Sequence, residues 1–329
     1  LGCICTSFLI KYSKNKNIYK KINKRDIHKE HTPNVGGISI FFTFILSLFF
    51  IFLGSLFDFS FNNQITIFVI LTSLIFFCVG LYDDLYNVSF FIKFFVQFLI
   101  SSLLVFYFDV NISSFYGLFG FYEISELFLN IFTVFVIVFI INAFNLIDGI
   151  DGLASSIGIF ITIIFSIIFY LNKLKFEFLL SSLIFACLIS FLFFNKPRAK
   201  IFMGDSGSLF IGYLLSFLSI RACNLPLFET GNINPVFILS VLSYPAIDTL
   251  RVFFIRISNG NSPFMPDQNH IHHILIKKTK NHFFVSIYAI LFSSILCLVS
   301  FVFYDYLTIC FLINLILSFL ILKKFLSNF

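Results

Sequence analysis

The chain is 329 residues long, 59% of them hydrophobic and only 12% charged, with a mean hydropathy of +1.00 and a formal net charge of +6. Soluble domains carry about a quarter charged residues, so this chain has too little polar surface to face water and must use lipid as its solvent. Its seven cysteines are odd in number, lie mostly inside apolar runs and lack the paired Cys/His spacing of a zinc site, so they read as packing residues rather than a disulfide framework.

In chain order, residues 1–10 are too short to span a membrane. They read as the end of a truncated first helix, not as a cleavable signal, because no small-residue cleavage site follows. A spanning helix needs about 20 apolar residues, and runs of that kind predict spans near 36–57, 65–82, 93–108, 127–147, 153–171, 176–194, 207–222, 235–255, 283–303 and 306–322. The expected fold is all-α: a polytopic transmembrane helical bundle of about ten spans plus the N-terminal fragment, forming one domain over 1–329. These runs are continuously apolar rather than alternating, which argues against a β-barrel.

Orientation follows from the basic residues. If 11–35 faces the cytoplasm, alternating loops place every Lys and Arg on that face except Lys173, Lys175 and Arg221. The same topology brings five chemically dense segments to the cytoplasmic side: His31–Gly37, Asp83–Asn87, Asn142–Gly152, Phe202–Ser208 and Asp267–His273. They are expected to form one site.

Each segment has its own logic. Asp83 and Asp84 are adjacent carboxylates at the end of a span, with Lys93 and Gln97 opening the next. Such a pair repels itself unless a cation or proton intervenes, so it suits either Mg²⁺ liganding or proton abstraction. Asn142 and Asn145 share a helix face; Asp148 and Asp151 follow at the same spacing, flanked by Gly149 and Gly152. Polar groups in so apolar a helix are expensive without partners or work, and amide and carboxylate oxygens suit a hard divalent cation. Phe202-Met203-Gly204-Asp205-Ser206-Gly207-Ser208 opens a helix after Lys196, Arg198 and Lys200, where outward N–H groups favour an anion and Asp205 fits metal liganding.

Asp248, Arg251 and Arg256 share one helix that leads to Asp267-Gln268-Asn269-His270-Ile271-His272-His273. Arginines bind phosphate in bidentate fashion and imidazoles donate to phosphate oxygens or shuttle protons. Zinc is disfavoured in that loop because no Cys is near and the neighbouring groups offer oxygen. The basic run before His31 reads mainly as a topology signal and anionic-lipid contact.

At these residues the sequence resembles the polyprenyl-phosphate N-acetylhexosamine-1-phosphate transferase family, in its WecA/TagO-like branch, with MraY more distant. Five motifs match in order over nearly the whole chain. His270-Ile271-His272-His273 is the feature that favours that branch.

The resemblance implies a bacterial inner-membrane enzyme with its site facing the cytoplasm. Such an enzyme joins a UDP-activated N-acetylhexosamine 1-phosphate, GlcNAc first among donors, to undecaprenyl phosphate and releases UMP. The product starts a cell-envelope polysaccharide. Mg²⁺ is the implied cofactor, with Mn²⁺ as its substitute, and a homodimer is the implied assembly. Carried over by motif, Asp83, Asp84 and His270 are catalytic, and Asn145 and Asp205 hold the metal. Lys93, Asp148, Asp151, Phe202, Arg256, His272 and His273 bind substrate, with Phe202 placed to stack on uracil. Two positions depart from the family's pattern: Asn87 stands where several members carry a third aspartate, and Asn34 where Arg is common. A transporter would place polar groups at mid-span and on both faces, and a CDP-alcohol phosphotransferase would have fewer spans; both fit the pattern less well.

Overall fold

A computed structural model describes residues 1–16, 32–53, 64–227, 231–262 and 267–326. His31, the basic residues at 20–29 and the Pro263–Pro266 stretch lie outside the described residues. The helices are α1 (Gly2–Asn15), α2 (Gly36–Leu53), α3 (Gln64–Tyr86), α4 (Phe90–Phe106), α5 (Glu126–Leu146), α6 (Leu153–Leu171) and α7 (Lys175–Asn195). They continue as α8 (Gly204–Cys223), α9 (Pro235–Val241), α10 (Ser243–Ser258), α11 (Ile271–Thr279), α12 (His282–Val302) and α13 (Leu307–Leu326). Among the described residues there is no strand, only an isolated bridge between Pro226 and Ile233.

The fold is therefore a polytopic helical bundle. Among the described residues eight helices are long and apolar enough to cross a membrane, and all ten predicted spans correspond to helices. Large side chains such as Phe95, Phe254, Leu298 and Phe319 stand exposed on the outside, as lipid-facing residues do.

Three features depart from expectation. The span at 235–255 is two helices, α9 and α10, bent by 79°. Pro245 is the physical cause: it has no N–H to give the carbonyl of Val241, and its ring crowds that carbonyl, so the helix breaks at Leu242. Secondly, α4 has 17 residues and a length of about 25 Å, short of a full bilayer core. Thirdly, the polar segment after His270 forms α11, a short helix that buries Ile271, Leu275 and Ile276 and ends in Lys277 and Lys278.

The centre of the bundle is α8, which packs on α3, α5 and α2 and is buried almost throughout. Small residues let its neighbours approach closely. A Cβ on Gly37 of α2 would lie 2.2 Å from the Gly207 nitrogen, and one on Gly80 of α3 would lie 2.3 Å from the Asp205 carbonyl oxygen. Both approaches concern the first turn of α8, the turn that carries Asp205.

Candidate active site

The chain reverses between α3 and α4 through Asn87, whose φ of 56° is left-handed, a conformation asparagine tolerates. Within that turn Val88 N–H donates to Asp83 Oδ1 at 2.6 Å. The reversal sets Lys93, in the first turn of α4, against Asp83: Nζ lies 2.8 Å from Asp83 Oδ2 and 3.2 Å from Asp205 Oδ2. Asn145 Nδ2, from the end of α5, donates to Asp205 Oδ1 at 3.2 Å and to Ser208 Oγ at 2.7 Å. Four helices thus meet at Asp205.

Asp84 has a different environment. Its Oδ1 accepts from the Asp205 N–H at 2.9 Å and its Oδ2 from the Ser206 N–H at 3.0 Å, so it caps the start of α8 from another helix. Asn34 Nδ2 adds a third donor at 2.9 Å. A carboxylate at a helix N-terminus satisfies orphan donors and complements the positive end of the helix dipole. Asp148 reaches the same turn, where its Oδ2 accepts from Gly204 N–H at 3.2 Å. Gly204 itself holds a φ of 72°.

Asp151 and Asn142 lie behind this cluster. Asp151 is 1% exposed, and its Oδ2 accepts from the backbone N–H groups of Arg198 and Ala199. His282, at the start of α12, accepts from the Asp151 N–H through Nδ1. Asn142 and Gln97 exchange amide hydrogen bonds that tie α5 to α4, the shorter at 2.6 Å. Phe202, half-buried, carries the backbone bridge between the first motif and α8: its N–H donates to Pro33 O and its carbonyl accepts from Gly36 N–H.

The histidine segment is organised by α10. Asp248 accepts from the Ile271 N–H at 2.7 Å and pairs with His270 Nδ1 at 2.9 Å. Arg256 Nε donates to Asp267 Oδ2 at 2.9 Å, and Arg251 to the Asn269 carbonyl at 2.6 Å. Burial alone would raise the Asp267 pKa, but the Arg256 hydrogen bond and the Asn269 N–H bring it down to about 2. His270 is 4% exposed and His272 fully buried, whereas His273 is half-buried. Burial, reinforced by the charges of His272 and His270, pushes His273 down to about 3, so it is neutral near pH 7. A Cβ on Gly149 would lie 2.7 Å from His272 Nε2 and 3.3 Å from His273 Cε1. The Asp148–Gly149 turn therefore sits directly on the histidine segment, and all five motifs converge at one end of the bundle.

Sequence reasoning singled out every carboxylate of this assembly. It passed over His282, whose position as the first residue of an apolar span was the available signal. It also passed over Asn195, whose Oδ1 accepts from Gly152 N–H at 3.0 Å. It discounted Asn34, the residue that holds Asp84.

The electrostatics favour a cation. Asp83 and Asp205 both reach Lys93 Nζ, at 2.8 and 3.2 Å, and two carboxylates crowd one place in this way only with a proton or positive charge between them. Lys93 supplies one such charge among Asp83, Asp84, Asp148 and Asp205, leaving the group net negative. With the Asn145 amide this is an all-oxygen donor set that fits a hard divalent ion.

A helical membrane bundle whose carboxylates, amides and basic side chains meet at one end defines a membrane-embedded enzyme site suited to phosphates. Residues 66–223, a little under half of the chain, match glycosyl transferase family 4. The chain is 28% identical over 273 residues to the undecaprenyl-phosphate alpha-N-acetylglucosaminyl 1-phosphate transferase of Thermotoga maritima, covering 83% of this chain and 78% of that protein. A Bacillus subtilis protein named "Probable undecaprenyl-phosphate N-acetylglucosaminyl 1-phosphate transferase" is 40% identical over 103 residues, 31% of this chain and 28% of that one. The Yersinia pestis transferase is 37% identical over 83 residues, 24% of this chain and 21% of that protein. The chain thus spans about a quarter of the Bacillus and Yersinia proteins and most of the Thermotoga one.

Proposed function

We propose that this protein transfers an N-acetylhexosamine 1-phosphate, GlcNAc-1-phosphate first among donors, from its UDP ester to undecaprenyl phosphate. UMP leaves, and the lipid-linked sugar starts a cell-envelope polysaccharide at the cytoplasmic face of a bacterial inner membrane. The observation that carries this reading is the Asp83–Lys93–Asp205–Asn145 cluster at the start of α8, where four of the five motifs meet, with the histidine segment set on the neighbouring Asp148–Gly149 turn.

In this reading a phosphate oxygen of the acceptor forms a bond to the β-phosphorus of the nucleotide sugar, and the bond from that phosphorus to the UMP oxygen breaks. Asp83, paired with Lys93 at the cluster's edge, takes the remaining proton of the acceptor phosphate. Asp84, saturated by backbone N–H donors, positions Asp205 instead of reacting. Asp205 and Asn145 would hold Mg²⁺, which when bound would offset the charge of the diphosphate. Lys93, Asp148 and half-buried His273 face the phosphates, Phe202 serves the base, and buried Arg256 and His270 keep the histidine segment in place. An apolar cavity of about 940 Å³ runs beside α9, α10 and α13, lined by residues such as Leu239, Leu250, Phe254 and Leu315. Arg251 and Lys323 are its charged lining residues, so it suits a long hydrocarbon tail with an anionic head.

The test is UMP release by purified protein from UDP-GlcNAc and undecaprenyl phosphate, with and without Mg²⁺, beside Asp205→Ala. Metal-dependent release that drops by about 10²-fold or more in the variant is expected. No release from GlcNAc, GalNAc or QuiNAc donors by folded protein would overturn the reading.

A further inference from the structure

The side chains of Asp248, His270 and His272 converge at the junction of α10 and α11 with their ligand atoms all within 4.8 Å of one another, and each is buried. Asp248 Oδ2 lies 2.9 Å from His270 Nδ1 and 3.5 Å from His272 Nδ1. Zinc bonds of about 2.0–2.2 Å in tetrahedral geometry put neighbouring ligand atoms about 3.3 Å apart, a separation these two distances bracket. His272 is fully buried, and neither of its ring nitrogens has a hydrogen-bond partner. The Tyr244 hydroxyl, one turn before Asp248, and the Thr249 hydroxyl beside it are also buried without partners. A fully buried imidazole with neither nitrogen paired costs about 1–3 kcal/mol of desolvation, which a bound ion would offset.

We propose that Asp248, His270 and His272 form a second metal site, for a zinc-like transition ion, distinct from the oxygen-lined cluster at Asp205. Two imidazoles and one carboxylate select zinc over magnesium, which requires oxygen ligands and keeps its waters. The sequence disfavours zinc at the histidine loop because its neighbours there are oxygen groups and no Cys is close. The fold changes that balance by delivering Asp248 from the preceding helix, 22 positions before His270. Such an ion would clamp the first turn of α11 onto α10 and hold His273 against the Asp148–Gly149 turn. Its role is positional, and the inference stands on local geometry whether or not the transferase reading holds.

The experiment is elemental analysis of the full chain in detergent, followed by replacement with Co²⁺ in excess Mg²⁺. The proposal expects about one zinc per chain, visible tetrahedral Co²⁺ bands, and full retention of both in Asp205→Ala. Asp248→Asn and His272→Gln should each weaken Co²⁺ binding by at least about 10-fold. Background zinc with no Co²⁺ spectrum in folded wild-type protein overturns the proposal, since the three residues would then be a hydrogen-bonded relay only. Metal retained equally in both ligand variants overturns it as well. Should the variants not fold, the wild-type readout decides alone: a raised thermal midpoint on adding Co²⁺ after chelation supports the site, and an unchanged one sinks it.

Discussion

Asp83 and Asp84 are adjacent in sequence, yet their carboxylates meet different partners. Asp83 faces Lys93 and Asp205, whereas Asp84 is consumed in holding the Asp205 and Ser206 N–H groups. Asp84→Asn replaces an acceptor oxygen by a donor against those N–H groups, and should lower stability by about 1–2 kcal/mol, the worth of a helix cap. Asp83→Asn should melt close to wild type while transfer falls about 10²–10⁴-fold, the contribution of a general base. Thermal melts and turnover measured on both variants check this; equal melting losses would contradict the division of roles. Asp267 carries a pH prediction. Its carboxyl sits at about 2 when folded and about 3.9 when unfolded, so its pairing with Arg256 stabilises the fold above about pH 4. That contribution disappears as pH falls through about 2. The melting difference between wild type and Asp267→Asn should therefore be present at pH 7 and shrink near pH 3, and a pH-independent difference would refute it.

At the scale of elements, the site depends on how closely α3 and α8 approach. Gly80→Ala places a Cβ 2.3 Å from the Asp205 carbonyl oxygen, forcing the helices apart with every catalytic side chain still present. The expected cost is about 1–3 kcal/mol of stability together with at least a 10-fold loss of transfer, the result of moving a reacting group by a fraction of an ångström. Wild-type melting and turnover in this variant would show that the approach is not needed. The hydropathic runs made ten spans legible in the sequence, because bilayer thickness sets the length of an apolar run. The break at Leu242 was not read, since a hydropathy sum is blind to what Pro245 does to the carbonyl of Val241. The helix α11 was missed for the opposite reason: it is short and polar, and only the buried trio Ile271, Leu275 and Ile276 betrays it.

For the molecule as a whole, convergence was legible because alternating topology sends five distant segments to one face. Asn34 meets Asp84, Lys93 meets Asp83 and Asp205, and Asp148 meets Gly204, across separations of up to 112 residues. What the chain order hides is which polar groups face substrate and which serve other side chains. Asp84, Asp151, His270 and His272 read the same by type as Asp83, Asp148 and His273; the fold is what buries Asp151, His270 and His272 and sets Asp84 on two N–H groups of α8. The account's central claim is transfer of a sugar together with its phosphate, and a donor carrying ³²P in the β-phosphate of UDP-GlcNAc tests it most directly. The label should move into the undecaprenyl lipid while UMP leaves unlabelled. Label left behind in UDP while sugar reaches the lipid would mean plain glycosyl transfer, and would contradict the assignment of the Asp83–Asp205 cluster to phosphoryl chemistry.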